Sequence, residues 1–124
     1  MVKVERISLE KDGLKKFFSD NEVRIIEALW DERGLTSSKI QELCPDMSLA
    51  CVAGTLDRLV KSGYVTREID TNGRGIRYLY YPSADRRMTG IRISERVIEV
   101  LVNTFGTSAV ASLGKQRRKR GRAK

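Results

Sequence analysis

The chain has 124 residues, of which 24 are lysine or arginine and 16 are aspartate or glutamate, and its formal net charge is +8. It has no histidine and two cysteines, which excludes a histidine-based catalytic triad, imidazole zinc ligands and a zinc site made of cysteines alone. This length fits one ordinary domain, and 40% hydrophobic residues are enough to form a core.

The positive charge is concentrated at the C-terminal end. Residues 114–124 contain seven basic residues and no acidic one, whereas residues 1–113 contain 17 basic and 16 acidic residues. Such a segment has nothing apolar to bury, so we expect a disordered basic tail that contacts nucleic acid. The alternative is a tail that only raises solubility. The tail residues predicted to contact DNA are Lys115, Arg117, Arg118, Lys119, Arg120 and Arg122.

The sequence shows no targeting signal or membrane span, because charged residues interrupt its apolar stretches. We therefore expect a cytoplasmic protein with no membrane partner, in which Cys44 and Cys51 are reduced thiols; a thiol switch is the less favoured alternative. Residues 1–18 are predicted to form an N-terminal arm that packs on the domain through Leu14, Phe17 and Phe18.

Capping signals and helical periodicity predict a first helix from Asp20 to Arg33. Ser19 and Glu22 have the spacing of a capping box, and Gly34 supplies a stop.

A second and a third helix follow, separated by about four residues, which is typical of a helix-turn-helix. Thr36 or Ser37 caps the second helix, and Ser48 caps the third, which ends at Gly63. The apolar stripe of the third helix consists of Leu49, Val52, Leu56, Leu59 and Val60.

After the third helix the periodicity changes to that of strands. Residues 64–69 and 76–81 are rich in aromatic and branched side chains, and Asn72-Gly73 and Gly75 between them favour a hairpin turn. Three helices followed by a hairpin predict an α+β winged helix-turn-helix domain over residues 19–82, with the hairpin as the wing.

The C-terminal third, residues 83–113, is predicted to be a helical dimerisation region. Residues 83–90 form a polar connection, Ser94 caps a helix that breaks at Gly106, and a short helical continuation follows. The apolar stripe needs a partner, and we favour a second copy of the chain over packing against the winged domain. The predicted dimerisation residues are Val97, Ile98, Leu101, Phe105, Val110 and Leu113.

Three segments, in this order and spacing, are similar to a known family. Residues 19–30 (SDNEVRIIEALW), 56–65 (LDRLVKSGYV) and 100–113 (VLVNTFGTSAVASL) resemble the penicillinase-repressor family of winged-helix transcriptional regulators. The resemblance covers about residues 14–113. It implies a homodimeric repressor that binds a two-fold operator, with the helix from Ser48 in the major groove. The cysteine cluster of copper-responsive relatives is absent and the cleavage site of antibiotic-responsive members is not matched, so neither response is carried over.

DNA contacts are expected first on the exposed side of the third helix. The candidates there are Ser48, Ala50, Cys51, Gly54 and Thr55, whose small side chains permit close approach to bases. Arg58 contacts a phosphate or a base, or instead pairs with a carboxylate of the first helix such as Glu27. Lys39 assists phosphate binding at the helix N-termini.

The wing is the second expected contact region. Arg67, Arg74 and Arg77 lie on it or at its tip, and Arg74 stands between two glycines. Arg74 is predicted to enter the minor groove or to hold a phosphate beside it; an ordinary Gly-Arg-Gly turn is the alternative.

The sequence as a whole predicts a sequence-specific DNA-binding regulator, a repressor that binds double-stranded DNA as a homodimer through residues 48–62 and 64–81. The first alternative is a non-specific nucleic-acid-binding protein, either chromatin-like or RNA-associated. The second is a protein-interaction module that does not bind nucleic acid. No enzyme activity, metal or cofactor is expected, because no histidine or lysine constellation stands beside a reactive serine or cysteine. No small-molecule effector is identified.

Overall fold

The structure, a computed structural model, describes residues 2–73 and 75–111. Within these ranges the helices are α1 (Asp20–Asp31), α2 (Ser37–Leu43), α3 (Leu49–Lys61) and α4 (Arg86–Phe105), and the strands are β1 (Val65–Asp70) and β2 (Arg77–Pro82). A 3-10 turn, Gly13–Lys16, precedes α1, and residues 108–111 form one further helical turn. This order confirms the predicted α+β winged helix-turn-helix fold. Arg74, Leu113 and the basic tail lie outside the described residues.

The first helix begins as predicted. Ser19 Oγ accepts a hydrogen bond from the Glu22 N–H at 3.2 Å, and Glu22 Oε1 accepts one from the Ser19 N–H at 2.8 Å. This reciprocal pair satisfies two backbone donors at the helix start. The helix ends at Asp31, before the predicted Arg33, and the chain then turns at Gly34 with a φ of 76°.

The two helices of the helix-turn-helix are capped as predicted. Thr36 Oγ1 accepts a hydrogen bond from the Lys39 N–H, and Ser48 Oγ accepts one from the Cys51 N–H. The third helix buries Val52, Leu56 and Leu59 completely against the core. Leu49 is exposed, so its predicted place in the apolar stripe is wrong.

A bidentate ion pair connects α1 to the turn between α2 and α3. Nη1 and Nη2 of Arg24 each donate to an oxygen of Asp46 at 2.6 Å. These hydrogen bonds are the main reason that the pKa of Asp46 lies below its ordinary value. The pair helps to hold the turn, and with it the start of α3, at a defined position beside α1.

The wing is anchored to the segment that follows α1. The two strands pair antiparallel, with Val65 opposite Pro82 and Asp70 opposite Arg77. Leu35 and Tyr80 exchange two backbone hydrogen bonds of 3.2 and 2.8 Å, so that Leu35 adds an isolated bridge to the hairpin. The base of the wing is therefore connected to the end of α1 as well as to α3.

Residues 2–18 lie against the winged domain. Val2 is buried, and the Lys3 N–H donates to the Ser62 carbonyl oxygen at 2.9 Å. The hydroxyl of Tyr64 donates to the Lys3 carbonyl oxygen at 2.8 Å, and its ring meets that of Phe18 edge-on at 4.8 Å. Burial is the main cause that raises the pKa of Tyr64 to about 12, so this hydroxyl stays protonated, and a donor, well into the alkaline range.

The last helix begins earlier than predicted. It starts at Arg86, so the expected polar connection over residues 83–90 is wrong, as is the expected cap at Ser94. Asp85 caps the helix instead, its Oδ1 accepting from the Met88 N–H at 2.7 Å, while Ser94 Oγ donates within the helix to the Gly90 carbonyl oxygen. Residues 86–90 carry little apolar periodicity, because Thr89 is the buried residue among them.

The beginning of α4 is attached to α1. The indole Nε1 of Trp30 donates to the Ala84 carbonyl oxygen at 3.0 Å, and the Arg86 guanidinium lies over the Trp30 ring, 5.4 Å from its centroid. Thr89 and Ile93 are buried against the winged domain, and Val97 packs against the same core. The first half of α4 is thus part of the domain.

Gly34 provides a test of the connection between α1 and the wing. A Cβ at this position would lie 3.2 Å from the Tyr81 ring on a backbone with positive φ. We expect Gly34→Ala to lower the free energy of unfolding by about 1–2 kcal/mol from backbone strain alone, measured by urea denaturation. The matched control is Gly90→Ala, because Gly90 lies inside α4 with nothing within 4 Å of the added Cβ. That variant should gain up to about 1 kcal/mol, and equal effects at the two sites would contradict the argument.

Candidate nucleic-acid interface

Apart from Leu49, the side chains that reach the surface at the cap and in the first half of α3 are small. Ser48, Ala50 and Ala53 are exposed, and Cys51 and Gly54 are half-buried. These residues occupy the cap and the first half of the helix, where backbone N–H groups carry partial positive charge. A surface with so few side-chain atoms allows the helix backbone to come close to a nucleic acid.

Thr55 does not belong to this exposed surface, and the prediction that it faces DNA is wrong. Its exposed fraction is 0%. It follows Val52 by three residues and precedes Leu59 by four, which puts it on the buried side of the helix. Its hydroxyl donates to the Cys51 carbonyl oxygen at 2.8 Å. The side chain is therefore a satisfied polar group next to the core.

Arg58 is exposed and does not pair with α1. Glu27, the alternative partner considered from the sequence, lies 3.9 Å from the Arg86 guanidinium instead. The Nη2 group of Arg58 donates to Thr55 Oγ1 at 3.2 Å. The guanidinium therefore lies back along α3 toward the small residues.

Asn21 is a neighbour of this surface that does not follow from the sequence pattern. It lies in the first turn of α1, and its Nδ2 donates to the Cys51 Sγ at 3.3 Å. No local pattern in the sequence relates two residues that are 30 positions apart. Cys51 and Cys44 are both free thiols, and Cys44 is buried.

Arg67 and Arg77 lie on opposite faces of the wing. Arg67 stands opposite Tyr80, and its guanidinium lies over the Tyr78 ring, 4.7 Å from the centroid. Arg77 stands opposite Asp70 on the other face and donates from Nε to Asp70 Oδ2 at 2.8 Å. Each arginine is oriented by a neighbour on its own face, so the two guanidinium groups lie on opposite sides of the hairpin.

Asp70 organises the end of the wing. Its Oδ1 accepts a hydrogen bond from the Asn72 N–H at 3.0 Å, and its Oδ2 accepts the bond from Arg77. The backbone bond from Asn72 is the larger cause, and the Arg77 bond the next, of a pKa below the ordinary value. Of the two glycines in the turn, Gly75 has a positive φ, of 83°. Arg74 lies outside the described residues, so its predicted contact stays a prediction.

Lys39 is exposed on α2, where its Nζ lies 3.6 Å from Glu42 Oε2. Exposed pairs of this kind contribute little to stability, so the lysine remains accessible to an anion.

The second half of α4 carries an apolar stripe separate from the one that packs on the domain. At about 100° per residue, Ile98, Leu101 and Phe105 lie roughly a third of a turn away from Thr89, Ile93 and Val97. Phe105 is 70% exposed, Val110 is also exposed, and Ile98 and Leu101 are half-buried. Leu113 lies outside the described residues. Val97, a predicted dimerisation residue, packs against the core of its own chain.

Two further observations concern metal ligands and membrane-spanning helices. In the ranges that the structure describes, no three His, Cys, Asp or Glu side chains group in a way that would hold a metal ion. Among the described helices, none has both the length and the apolar character needed to cross a membrane.

Comparison with known proteins assigns the chain to a family. The family model described as penicillinase repressor matches residues 18–120. The chain belongs to this family. The penicillinase repressor family and its winged-helix fold are those of DNA-binding transcription regulators, which confirms the resemblance found in the three sequence segments. A comparison with curated proteins gives no significant match.

Solved structures share the fold of this penicillinase repressor family member at low sequence identity. Streptococcus pneumoniae FabT in complex with DNA has a TM-score of 0.52 and 18% identity, over 86% of this chain and 76% of that chain. The transcriptional regulator PA4135 has a TM-score of 0.52 and 17% identity, over 86% and 79%. PcaV of Streptomyces coelicolor, solved with its natural ligand, has a TM-score of 0.50 and 21% identity, over 86% and 76%.

The pKa of Asp70 gives a prediction about the wing. Because the folded-state pKa lies below the ordinary 3.8, the carboxylate stabilises the wing at higher pH, and this contribution is lost as the pH falls through the lowered pKa. In an NMR titration, the Asn72 amide resonance should shift with a midpoint below 3.8. Arg77→Met should move the midpoint upward, since one of the two hydrogen bonds is removed, and Asp70→Asn should abolish the transition. A wild-type midpoint at or above 3.8 would contradict the assignment.

Proposed function

We propose that this penicillinase repressor family member is a repressor that binds a two-fold operator in double-stranded DNA as a homodimer. In this proposal α3 enters the major groove and the wing lies on the adjacent backbone or minor groove. The observation that carries the proposal is the exposed first half of α3, which is capped by Ser48 and lined by Ala50, Cys51 and Gly54. A helix with such small side chains fits closely into a groove of about 12 Å width.

The surroundings of α3 support this orientation. The helix is held by a buried stripe on one side and by the Arg24–Asp46 pair at the preceding turn, so its exposed side needs little rearrangement to bind. Ser48 and Lys39 stand at or near helix N-termini, where phosphate groups are favoured. The structure of FabT, which has the same fold, was solved in complex with DNA.

The wing contributes positive charge from both of its faces. Arg67 and Arg77 serve in this proposal as phosphate contacts on either side of the hairpin, and Arg74 as the residue at its tip. Arg77 is tied to Asp70 but its side chain remains 59% exposed, so it keeps donors available for a phosphate. Contacts of this kind fix the register of a protein on DNA without reading its sequence.

The homodimer is proposed to form through the second apolar stripe of α4. Ile98, Leu101 and Phe105 share one side of the helix, and Val110 and Leu113 extend the apolar segment beyond Gly106. An exposed phenylalanine at the end of a long helix is unfavourable in water and favours a partner surface. A second copy supplies the same stripe and matches the symmetry of a two-fold operator.

A second candidate function is non-specific nucleic-acid binding, which the basic tail favours. Its predicted contacts, Lys115, Arg117, Arg118, Lys119, Arg120 and Arg122, neutralise phosphates without reading bases. In the repressor proposal the tail adds affinity for any DNA, whereas in this second candidate it is the main binding element.

Selection of binding sites from random duplex DNA distinguishes the two candidates. The purified full chain should enrich a two-fold site whose half-sites lie about one helical turn apart, and bind it in the presence of excess random DNA. Enrichment of no sequence, with uniform binding that disappears as salt is raised, would contradict the repressor proposal and support the second candidate.

Phe105 provides the test of the dimer. Because its side chain is exposed in the single chain, Phe105→Glu should leave the winged domain folded and weaken self-association by at least about a hundredfold, since it removes two buried phenylalanines per dimer. Sedimentation equilibrium measures the change. Asn103→Glu is the matched control, because it adds the same charge to an exposed position of the same turn, on nearly the opposite side of α4. A monomeric wild-type chain at about 100 μM, a concentration at which even a weak dimer would form, would overturn the proposal.

A further inference from the structure

The donor and acceptor roles of the buried Thr55 hydroxyl are fixed by its two hydrogen-bond partners. It donates its one proton to the Cys51 carbonyl oxygen at 2.8 Å, which leaves its lone pairs to accept a hydrogen bond. The Nη2 group of Arg58 donates into that position at 3.2 Å. A side chain that the core holds rigidly therefore determines where the guanidinium of an exposed arginine lies.

The path of the Arg58 side chain crosses Gly54. Side chains on a helix point toward its N-terminus, so Arg58 covers the surface of the preceding turn. A Cβ built on Gly54 would lie 3.9 Å from Nη1 of Arg58, at ordinary contact distance. The guanidinium therefore lies beside Gly54, on the side where α3 exposes its small residues.

The neighbouring side chains on this part of α3 have little capacity to recognise a base. Ala50 and Ala53 have no polar group, and Ser48, whose hydroxyl oxygen accepts the Cys51 N–H, offers a single O–H donor and not a fork of donors. Lys61, the other cation of the described helix, lies further along it and pairs with Asp57 at 3.1 Å. Arg58 is thus the one side chain of α3 with the planar fork of donors that pairs with guanine O6 and N7.

We propose that Arg58 is the specificity-determining residue of α3 and that Thr55 is its positioning residue. Thr55 holds one N–H of the guanidinium, and the remaining donors are directed over Gly54 toward a guanine in the major groove. This inference rests on the proposed function, since it requires that the protein recognise an operator. In this proposal α3, which has few polar side chains, recognises a base through one oriented arginine.

The experiment begins with the operator obtained by selection with the wild-type full chain. Binding is measured by fluorescence anisotropy to this operator and to duplexes in which each guanine of a half-site is replaced in turn. Thr55→Val keeps the shape of the buried side chain and removes the hydroxyl, and Thr55→Ser restores the hydroxyl. Thermal unfolding of each variant shows whether the domain remains folded.

Arg58→Ala should lose about tenfold or more in preference for one guanine of each half-site, which is the range expected for a bidentate contact. Thr55→Val should lose about three- to tenfold of the same preference. Thr55→Ser should recover it. The matched control, Lys61→Ala, should weaken operator and random DNA by similar factors and leave the preference unchanged.

Several outcomes would overturn the inference. If Thr55→Val keeps the wild-type preference for the guanine, the hydroxyl does not position Arg58. If Thr55→Val instead weakens binding to all DNA in proportion to its lost thermal stability, the role of Thr55 is structural alone. Arg58→Ala with unchanged preference and a reduced salt dependence makes Arg58 a phosphate contact. If selection with the wild-type chain enriches no operator, the failure lies with the proposed function instead.

Discussion

The rotation of α3 about its own axis is the constraint on which the rest of the site depends. Val52, Leu56 and Leu59 are completely buried in the core that α3 shares with α1, α2 and β1, and a helix that buries one side can expose only the other. A rotation of α3 about its axis would move residues out of the core toward solvent and bring solvent-facing residues toward the core. The Arg24–Asp46 pair and the cap residues Ser48 and Ser62 limit the position of α3 along its axis. The buried stripe limits its rotation.

Local signals in the sequence predicted most of the fold. Hydrogen bonds within a few residues mark the boundaries of the first three helices. They belong to the capping box at Ser19, the caps at Thr36 and Ser48, and the turn at Gly63. Such bonds depend on the neighbouring sequence alone, so a pattern of residues is sufficient to identify them. The hairpin was predicted for the same reason, because its two strands follow each other directly in the chain.

The errors in the predicted fold and site have different origins. The start of α4 was misplaced although Asp85, which caps the Met88 N–H three residues on, is a local signal, because residues 86–90 show little apolar periodicity to extend the helix back to it. Thr55 was misplaced because a hydroxyl suggests an exposed residue, although its spacing to Val52 and Leu59 already indicated the buried side. The partners of Arg67 and Arg77 follow from strand register, which the sequence of a hairpin with a six-residue turn leaves open.

The attachment of α4 to α1 has a mechanical consequence. The helix has 20 residues and so forms a rod about 30 Å long. Its first half is held against the winged domain, and its second apolar stripe lies near its end. In an assembly of two chains joined at that stripe, the rod acts as a lever arm. A small change in the crossing angle of the two rods would become a displacement of several ångströms at the two α3 helices. In the proposed homodimer, the spacing of the two α3 helices would therefore be set at the distal end of α4, far from the surface proposed to contact DNA.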